Sequence, residues 1–277
     1  MFTREELIYY SRQLNLPGHT LEIQDRLRKS KVLIVGIGGL GSPAAQYLAA
    51  AGIGTLGLID DDSVQLHNLH RQILFSVDDI GQQKVITAKK KLEKLNPFIT
   101  IEAKDVRLAQ ANCLSVFQSY DLILDCTDNY ETRYMINDAC VILNKPFVSG
   151  ALFGSESQVA VFNLKTETGS HGPTYRCLHP EAPAIDDRQG CADSGIIGVV
   201  AGQAGLSMAN EAIKVITGIG KNLSGYLLNS NYRENRSELF ALEYSDKAFL
   251  EGPQNEEEFL AMDYAQFCKR IISITEE

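Results

Sequence analysis

Residues 32–62, VLIVGIGGLGSPAAQYLAAAGIGTLGLIDDD, leave the chain few folds to adopt. An aliphatic run, Val32 to Val35, enters a turn carrying Gly36, Gly38, Gly39 and Gly41, and an Ala- and Leu-rich stretch of helical length follows. A second apolar run then closes on Asp60, Asp61 and Asp62. Strand, glycine turn, helix and strand in that order make a βαβ mononucleotide-binding unit. Gly36 and Gly38 let the backbone turn tightly and meet a phosphate without a Cβ in the way, and Gly41 lets the helix pack close to the strand. Free N–H groups at the helix start offer an anion site. Asp60, nineteen residues beyond Gly41, suits a carboxylate that accepts hydrogen bonds from ribose hydroxyls. On this unit alone an NAD-dependent oxidoreductase is the ordinary reading, and the residues downstream must discriminate.

The alternation continues along the chain. Val85, Ala88, Leu92 and Leu95 share one helical face that begins at Lys84 and stops at Asn96-Pro97. A lysine in a first turn opposes the helix dipole, which suggests that Lys84 is held there for a ligand. Strands are expected near 99–106, 121–129, 145–152 and 158–163, with helices near 109–119 and 131–144. The 121–129 strand, DLILDCTDN, ends on Asp125, Asp128 and Asn129. Carboxylates at the carboxyl end of a parallel strand, across from a glycine turn, are where a ligand or metal sits. Residues 164–197 carry few regular signals and read as a long crossover loop. A buried helix over 198–217 and two strands, 225–232 and 237–244, complete the pattern. The fold class is α/β: a Rossmann-like, mostly parallel twisted sheet with helices on both faces and an antiparallel C-terminal extension. Three segments follow: an N-terminal helical piece at 1–30, a nucleotide-binding α/β domain at 31–246 that includes the 164–197 loop, and a tail at 247–277. Within the first, Leu7, Tyr10 and Leu14 recur at helical spacing behind a Thr3/Glu6 capping pair, and this amphipathic helix is free to serve as a dimer element.

Charge and cysteine usage narrow the setting. A net charge of −9 counts against a broad nucleic-acid-binding surface. Six scattered cysteines, with no C-x-x-C pair, fit a reducing cytoplasm better than a disulfide framework. The start, MFTREELIYYSRQ, lacks the apolar core of a signal peptide. The most apolar long window, 196–216, carries Gln203, Asn210, Glu211 and Lys214, which suits a buried helix rather than a membrane span. Cys113, Cys126 and Cys140 sit in or beside apolar runs and read as core.

The polar landmarks favour a triphosphate over a dinucleotide. Hydride-transfer sites need little cationic charge around the pyrophosphate, whereas attack at an α-phosphorus needs cations and a carboxylate for Mg²⁺. Arg12, Arg71, Lys84 and Asp128 meet that need. Read as words, YYSRQ (9–13), VGIGGLGSPAAQYLAAAGIG (35–54), DDDSVQLHNLHRQILF (60–75), GQQK (81–84), LNP (95–97), DCTDN (125–129), YRCL (175–178) and CADSGIIGVVAGQAGLSMANEAIK (191–214) stand in one order over roughly residues 5–245. In these words the chain resembles the MoeB/ThiF/HesA family, relatives of the ubiquitin-activating enzymes.

The resemblance implies an ATP- and Mg²⁺-dependent adenylyltransferase acting on the C-terminal Gly-Gly of a small ubiquitin-like sulfur-carrier protein, for molybdopterin or thiamine synthesis. Carried over by position, it implies a nucleotide site of Gly36, Gly38, Gly39, Gly41, Asp60, Asp62, His67, Asn68, Leu69, His70, Arg71, Gln72, Lys84, Asp128 and Asn129. Asp60 would take the ribose, Asn68, Arg71 and Lys84 the phosphates, and Asp128 the Mg²⁺. Arg12 would act across a homodimer on the partner's triphosphate. Cys191 falls where some members use a loop cysteine for sulfur transfer or a covalent carrier link; its other reading is a small buried residue. Zinc-binding members carry two C-x-x-C pairs. Here Thr174 stands at the first ligand position and 225–277 holds no pair, so no zinc site is expected, with apolar packing of the last two strands in its place. No rhodanese-like continuation follows DYAQFC, so the sulfur donor is expected to be a separate protein. The competing readings are adenylation of another substrate, such as a peptide C-terminus or a tRNA base, and a nucleotide-binding scaffold without turnover. No nucleic-acid or membrane partner is expected.

Overall fold

The computed structural model describes residues 1–165, 169, 171–182 and 195–269. Helices α1 (Arg4–Tyr9), α2 (Ser11–Leu14) and α3 (Leu21–Lys29) precede β1 (Lys31–Val35), α4 (Gly41–Ala51) and β2 (Thr55–Ile59). Then come α5 (Lys84–Leu95), β3 (Thr100–Lys104), α6 (Gln110–Phe117), β4 (Leu122–Asp125), α7 (Tyr130–Ile142), β5 (Phe147–Phe153) and β6 (Glu156–Phe162). A short α8 (Tyr175–Leu178), the long α9 (Gly198–Thr217), β7 (Tyr226–Asn231), β8 (Arg236–Ala241) and three short helices, α10 (Asp246–Leu250), α11 (Glu256–Ala261) and α12 (Tyr264–Lys269), follow.

One sheet of order β3-β2-β1-β4-β5-β6-β7-β8 carries the fold. Pairing from β3 through β5 is parallel, and from β5 through β8 antiparallel. The strand order reverses at β1, so the crevice beyond the carboxyl ends of β1 and β4 is the topological switch point where ligands of open α/β sheets bind. Central strands are buried on both faces, and alternate residues feed two cores. Val32 and Ile34 join Ala45 and Leu48 of α4, Val85 and Leu92 of α5, and Met208 of α9. Leu33 and Val35 join Phe117 of α6, Tyr134 and Cys140 of α7, and Phe259 and Tyr264 of the C-terminal helices. Cys113, Cys126 and Cys140 are buried, as their apolar neighbours require. Among the described residues no helix is long and apolar enough to cross a membrane.

The N-terminal stretch forms two helices where its periodicity predicts one. Thr3 and Glu6 make the expected capping box, Thr3 N–H donating to Glu6 Oε2 at 2.6 Å and Glu6 N–H to Thr3 Oγ1 at 3.1 Å. Tyr10 then interrupts the helix because its ring is drawn inward over Gly52, where a Cβ would lie 2.7 Å from the ring, and its hydroxyl accepts from Asn96 Nδ2 at 2.9 Å. Leu7, Ile8 and Leu16 stay exposed and offer an apolar surface to a partner.

Residues 247–269, read in the sequence as a tail, pack onto the domain. Phe259, Tyr264 and Cys268 fill the groove beside α6 and α7, and Gln110 Nε2 donates to the carbonyls of Phe259 (2.8 Å) and Met262 (2.7 Å). A buried ion pair ties this region to α8: Arg176 Nε and Nη2 donate to Asp138 at 2.8 and 2.7 Å, and the Tyr264 hydroxyl donates to the same carboxylate at 2.9 Å. Apolar packing of the last strand pair does not make this link, since Leu239 and Phe240 of β8 are exposed. Removing one partner of a buried pair strands the other charge, so Asp138→Ala is expected to lower the unfolding free energy by about 3–5 kcal/mol, and Tyr264→Phe by about 1 kcal/mol. Urea denaturation checks both, and equal losses in the two variants would show that the ion pair does not fasten the tail.

Candidate active site

Val35 pairs with Ile59 on one side and Asp125 on the other, so the segments leaving β1, β2 and β4 emerge side by side. Gly36 turns the chain with φ +87°, and its N–H donates to the Ile59 carbonyl at 2.9 Å. A Cβ at 36 would meet the Cys126 carbonyl at 3.0 Å, and one at 41 would lie 2.0 Å from the Gly36 carbonyl oxygen. Glycine is therefore required at both places by close backbone approach. Gly38 and Gly39 face the polar loop after β2: Cβ atoms there would lie 3.6 Å from Gln72 Nε2 and 3.5 Å from Arg71 Cγ.

The carboxylates after β2 are already engaged. Asp60 Oδ2 accepts from the Ile37 N–H of the glycine turn at 2.7 Å, and Oδ1 accepts from Asp62 N–H at 2.9 Å. Burial raises the Asp60 carboxyl above the ordinary carboxylate range, against the pull of Lys84 and of these two N–H groups. Lys84, the first residue of α5 and 4% exposed, places Nζ 2.6 Å from Asp62 Oδ2 and 3.9 Å from Asp60 Oδ1. The unfavourable dipole at this position is thus offset by two carboxylates. Oxygen atoms of Asp60, Asp61 and Asp62 lie within 4.8 Å of one another, with the Lys84 charge beside them.

In the following loop Asn68 is buried and its Oδ1 accepts from Gln65 N–H at 3.1 Å, closing a short 3₁₀ turn. Leu69 is half-buried, while His67 and His70 are exposed. Arg71 Nη1 donates to the His67 carbonyl at 3.0 Å and lies 2.8 Å from His70 Nε2. Gln72 is buried with Oε1 lacking a partner. Helix α9 clamps the loop from above: a Cβ at Gly198 would sit 2.0 Å from the His70 carbonyl oxygen.

At the end of β4 the three polar residues divide their work. Asp125 is fully buried, accepting from Thr127 N–H (3.1 Å), Thr127 Oγ1 (2.6 Å) and Ser149 Oγ (2.9 Å). Asn129 caps α7, its Oδ1 accepting from Thr132 N–H at 2.9 Å. Asp128 is exposed, with no hydrogen-bond or ion-pair partner among the described residues. Arg133, which the sequence reading passes over, fixes this turn by donating from Nη2 to the carbonyls of Thr127 (2.8 Å) and Gly150 (3.2 Å). Its position four residues beyond the Asn129 cap, on the buried face of α7, is the signal that points to it.

Two further expected residues stand apart. Arg12 lies on α2, exposed and unpartnered among the described residues, so the single chain gives it no task. Cys191 lies outside the described residues. A glycine cradle without Cβ atoms, buried cationic Lys84, an orphaned Gln72 oxygen and unpaired Asp128 at one sheet edge fit a nucleoside triphosphate with its divalent cation. Among the described residues no set of three or more cysteines gathers at metal-ligating distance: Cys177 Sγ lies 3.4 Å from Thr174 N and Oγ1, and Cys268 is buried in α12.

Comparison with known proteins agrees with this geometry. The ThiF family profile matches residues 10–249. A sulfur carrier protein adenylyltransferase of Thermus thermophilus is 43% identical over 267 residues, covering 96% of this chain and 98% of that protein. The adenylyltransferase and sulfurtransferase MOCS3-1 of Zea mays is 44% identical over 97% of this chain, and the probable adenylyltransferase/sulfurtransferase MoeZ of Mycobacterium tuberculosis 40% identical over 96%. Of those two longer proteins the chain spans 57% and 66%. Among solved structures, E. coli MccB crystallised with ATP superposes with a TM-score of 0.72 at 24% identity, covering 88% of this chain and 71% of that one, a likeness of fold. With a family profile spanning most of its length and relatives at 40% identity or above along nearly all of it, the chain belongs to the ThiF family.

Proposed function

We propose that the protein is an ATP-dependent adenylyltransferase that activates the C-terminal glycine of a small ubiquitin-like sulfur carrier, as the names of its relatives suggest for them. A carboxylate oxygen of the carrier attacks the α-phosphorus, the bond to the bridging oxygen breaks, and pyrophosphate leaves with an acyl-adenylate formed. The convergence of the glycine turn, Arg71, Lys84 and unpaired Asp128 on one sheet edge carries this reading.

Each residue has a task that its surroundings support. The N–H groups of the turn up to Gly41 receive phosphate oxygens, since those of Ser42 and Ala44 already donate to the Gly38 and Leu40 carbonyls and Pro43 has none. Asp60, oriented by Ile37 N–H, accepts from the ribose. Lys84 and Arg71 are preorganised, through Asp62 and through the His67 carbonyl, to meet negative charge that grows on the phosphates during attack. Asn68, Gln72 and their neighbours His67, Leu69 and His70 form the wall facing the phosphates. Asp128 holds Mg²⁺, which neutralises phosphate charge when bound, and Asn129 keeps that turn in place at the start of α7.

The active assembly is a homodimer. Support comes from exposed Leu7, Ile8 and Leu16 beside Arg12, a cation without a partner among the described residues. In the dimer Arg12 reaches the partner's triphosphate. The pathway served is molybdopterin or thiamine synthesis in the cytoplasm. The acidic net charge weighs against a tRNA substrate.

ATP–pyrophosphate exchange with each candidate carrier of the same organism tests the reaction. Exchange is expected with one carrier and is expected to fall by about 10³-fold in Asp128→Ala; ATP binding without exchange for any carrier would overturn the assignment. Shared sites make a second prediction. Arg12→Ala and Asp128→Ala homodimers are each expected to be inactive, and random subunit mixing restores about a quarter of wild-type exchange, because half the dimers are mixed and each of those holds one intact site. No recovery on mixing would place Arg12 outside the partner's site.

A further inference from the structure

Between α7, α8 and the β5–β6 hairpin lies a second cavity, lined by Arg133, Ser149, Ala151, Tyr175, His179 and Leu227 among others. Two of its polar groups are buried without partners: Arg133 Nε and the Tyr175 hydroxyl. Arg133 is 9% and Tyr175 3% exposed, and an unsatisfied buried donor carries a full desolvation penalty. The two side chains are neighbours, yet no hydrogen bond of acceptable geometry joins them. The space left to the cavity, about 20 Å³, admits one oxygen-sized group.

The chemistry of the lining specifies what that group is. Arg133 Nε can only donate, and Tyr175, whose phenol is pushed up to about 12 chiefly by burial, keeps its proton to donate as well. Two donors call for an acceptor oxygen. Buried Asp125 lies near enough to favour the guanidinium charge without forming an ion pair with it, and burial together with Arg133 brings His179 down to about 4, so the imidazole is uncharged at neutral pH. With a carboxylate already acting on the one cation, a neutral carbonyl is favoured over a second anion. Ala151, Ala160, Leu178 and Leu227 make much of the remaining lining apolar, so the group that enters brings a single oxygen while the chain carrying it stays outside. Arg133 also holds the Thr127 carbonyl, next to Asp128, so the cavity adjoins the turn assigned to the metal.

We infer that Arg133 Nε and the Tyr175 hydroxyl form a two-donor subsite for one backbone carbonyl of the protein tail whose C-terminal carboxylate is adenylated. The inference rests on the adenylyltransferase reading and adds to it a means of registering the tail. A peptide held by a main-chain carbonyl is positioned regardless of its side chains.

Tyr175→Phe removes only an unpartnered hydroxyl, so the fold is retained, and Ala151→Val fills part of the cavity by an independent route. Steady-state pyrophosphate exchange against carrier concentration, direct titration of the carrier into each protein, and ATP titration are measured together. Tyr175→Phe is expected to raise carrier KM and Kd about fivefold, the size of one lost neutral hydrogen bond, with ATP affinity and melting temperature unchanged; Ala151→Val is expected to raise them further. Wild-type exchange with carrier KM and Kd unaltered in both variants overturns the subsite while leaving the reaction intact. A lowered melting temperature in Tyr175→Phe with unaltered carrier binding assigns the cavity to an internal water and overturns it too. Absence of exchange and of carrier binding in the wild type removes both readings.

Discussion

The carbonyl oxygen of Gly36 lies where a Cβ on residue 41 would have to be, and this contact sets the position of everything at the sheet edge. It brings the start of α4 directly over the end of β1, so the glycine turn that joins them lines the switch-point crevice. The second consequence runs sideways. Because Gly36 is itself pressed against the Cys126 carbonyl, the turn after β1 and the turn after β4 are held in one register. Asp60 then fastens the same turn from the β2 side through Ile37 N–H. Three strand ends are thereby joined by backbone geometry and one carboxylate, before any ligand is considered.

Charges around this frame fall into two kinds. Lys84, buried, is paired with the carboxylates of Asp60 and exposed Asp62, and Arg133, buried, is held by the carbonyls of Thr127 and Gly150. Such groups are expensive to desolvate singly, and their value here is orientation rather than stability. Arg12 and Asp128 are exposed and without partners among the described residues, and a group so placed is one that a ligand or a second subunit can recruit. The balance also explains how a chain of net charge −9 presents cations to a polyphosphate. Local pairing and helix N–H groups provide the attraction without a basic surface.

The far side of the sheet has a different logic. There α7 stands between the catalytic edge and the C-terminal helices: its first turn carries Arg133, and Asp138, further along, joins Arg176 and Tyr264. One helix thus supports the Asp128 turn, lines the second cavity and fastens the terminal residues. Through Tyr175 and Arg176, α8 lies against the same helix that supports the Asp128 turn.

Local chemistry alone determined the βαβ unit, the strand and helix sequence and the glycine turn, because hydrophobic periodicity and the lack of a Cβ act within a few residues. Asp60, Lys84, Arg71 and Asp128 were legible for the same reason, each lying within a few residues of a strand end or helix start. Relations between distant segments were not. That Tyr10 would break its helix to sit on Gly52, that Asn129 and Asp125 would be absorbed by capping and by Ser149, and that Arg133 would face Tyr175 across a cavity all depend on packing among segments far apart in sequence. The acidic C-terminal residues read as a tail because their few apolar side chains show no long periodicity; Phe259 and Tyr264 find their place only once α6 and α7 present a groove. Sequence determined which groups stand at the sheet edge, since chain connectivity puts them there. Tertiary structure decided which of those groups remain free to act, since that depends on what the rest of the chain has already bonded to.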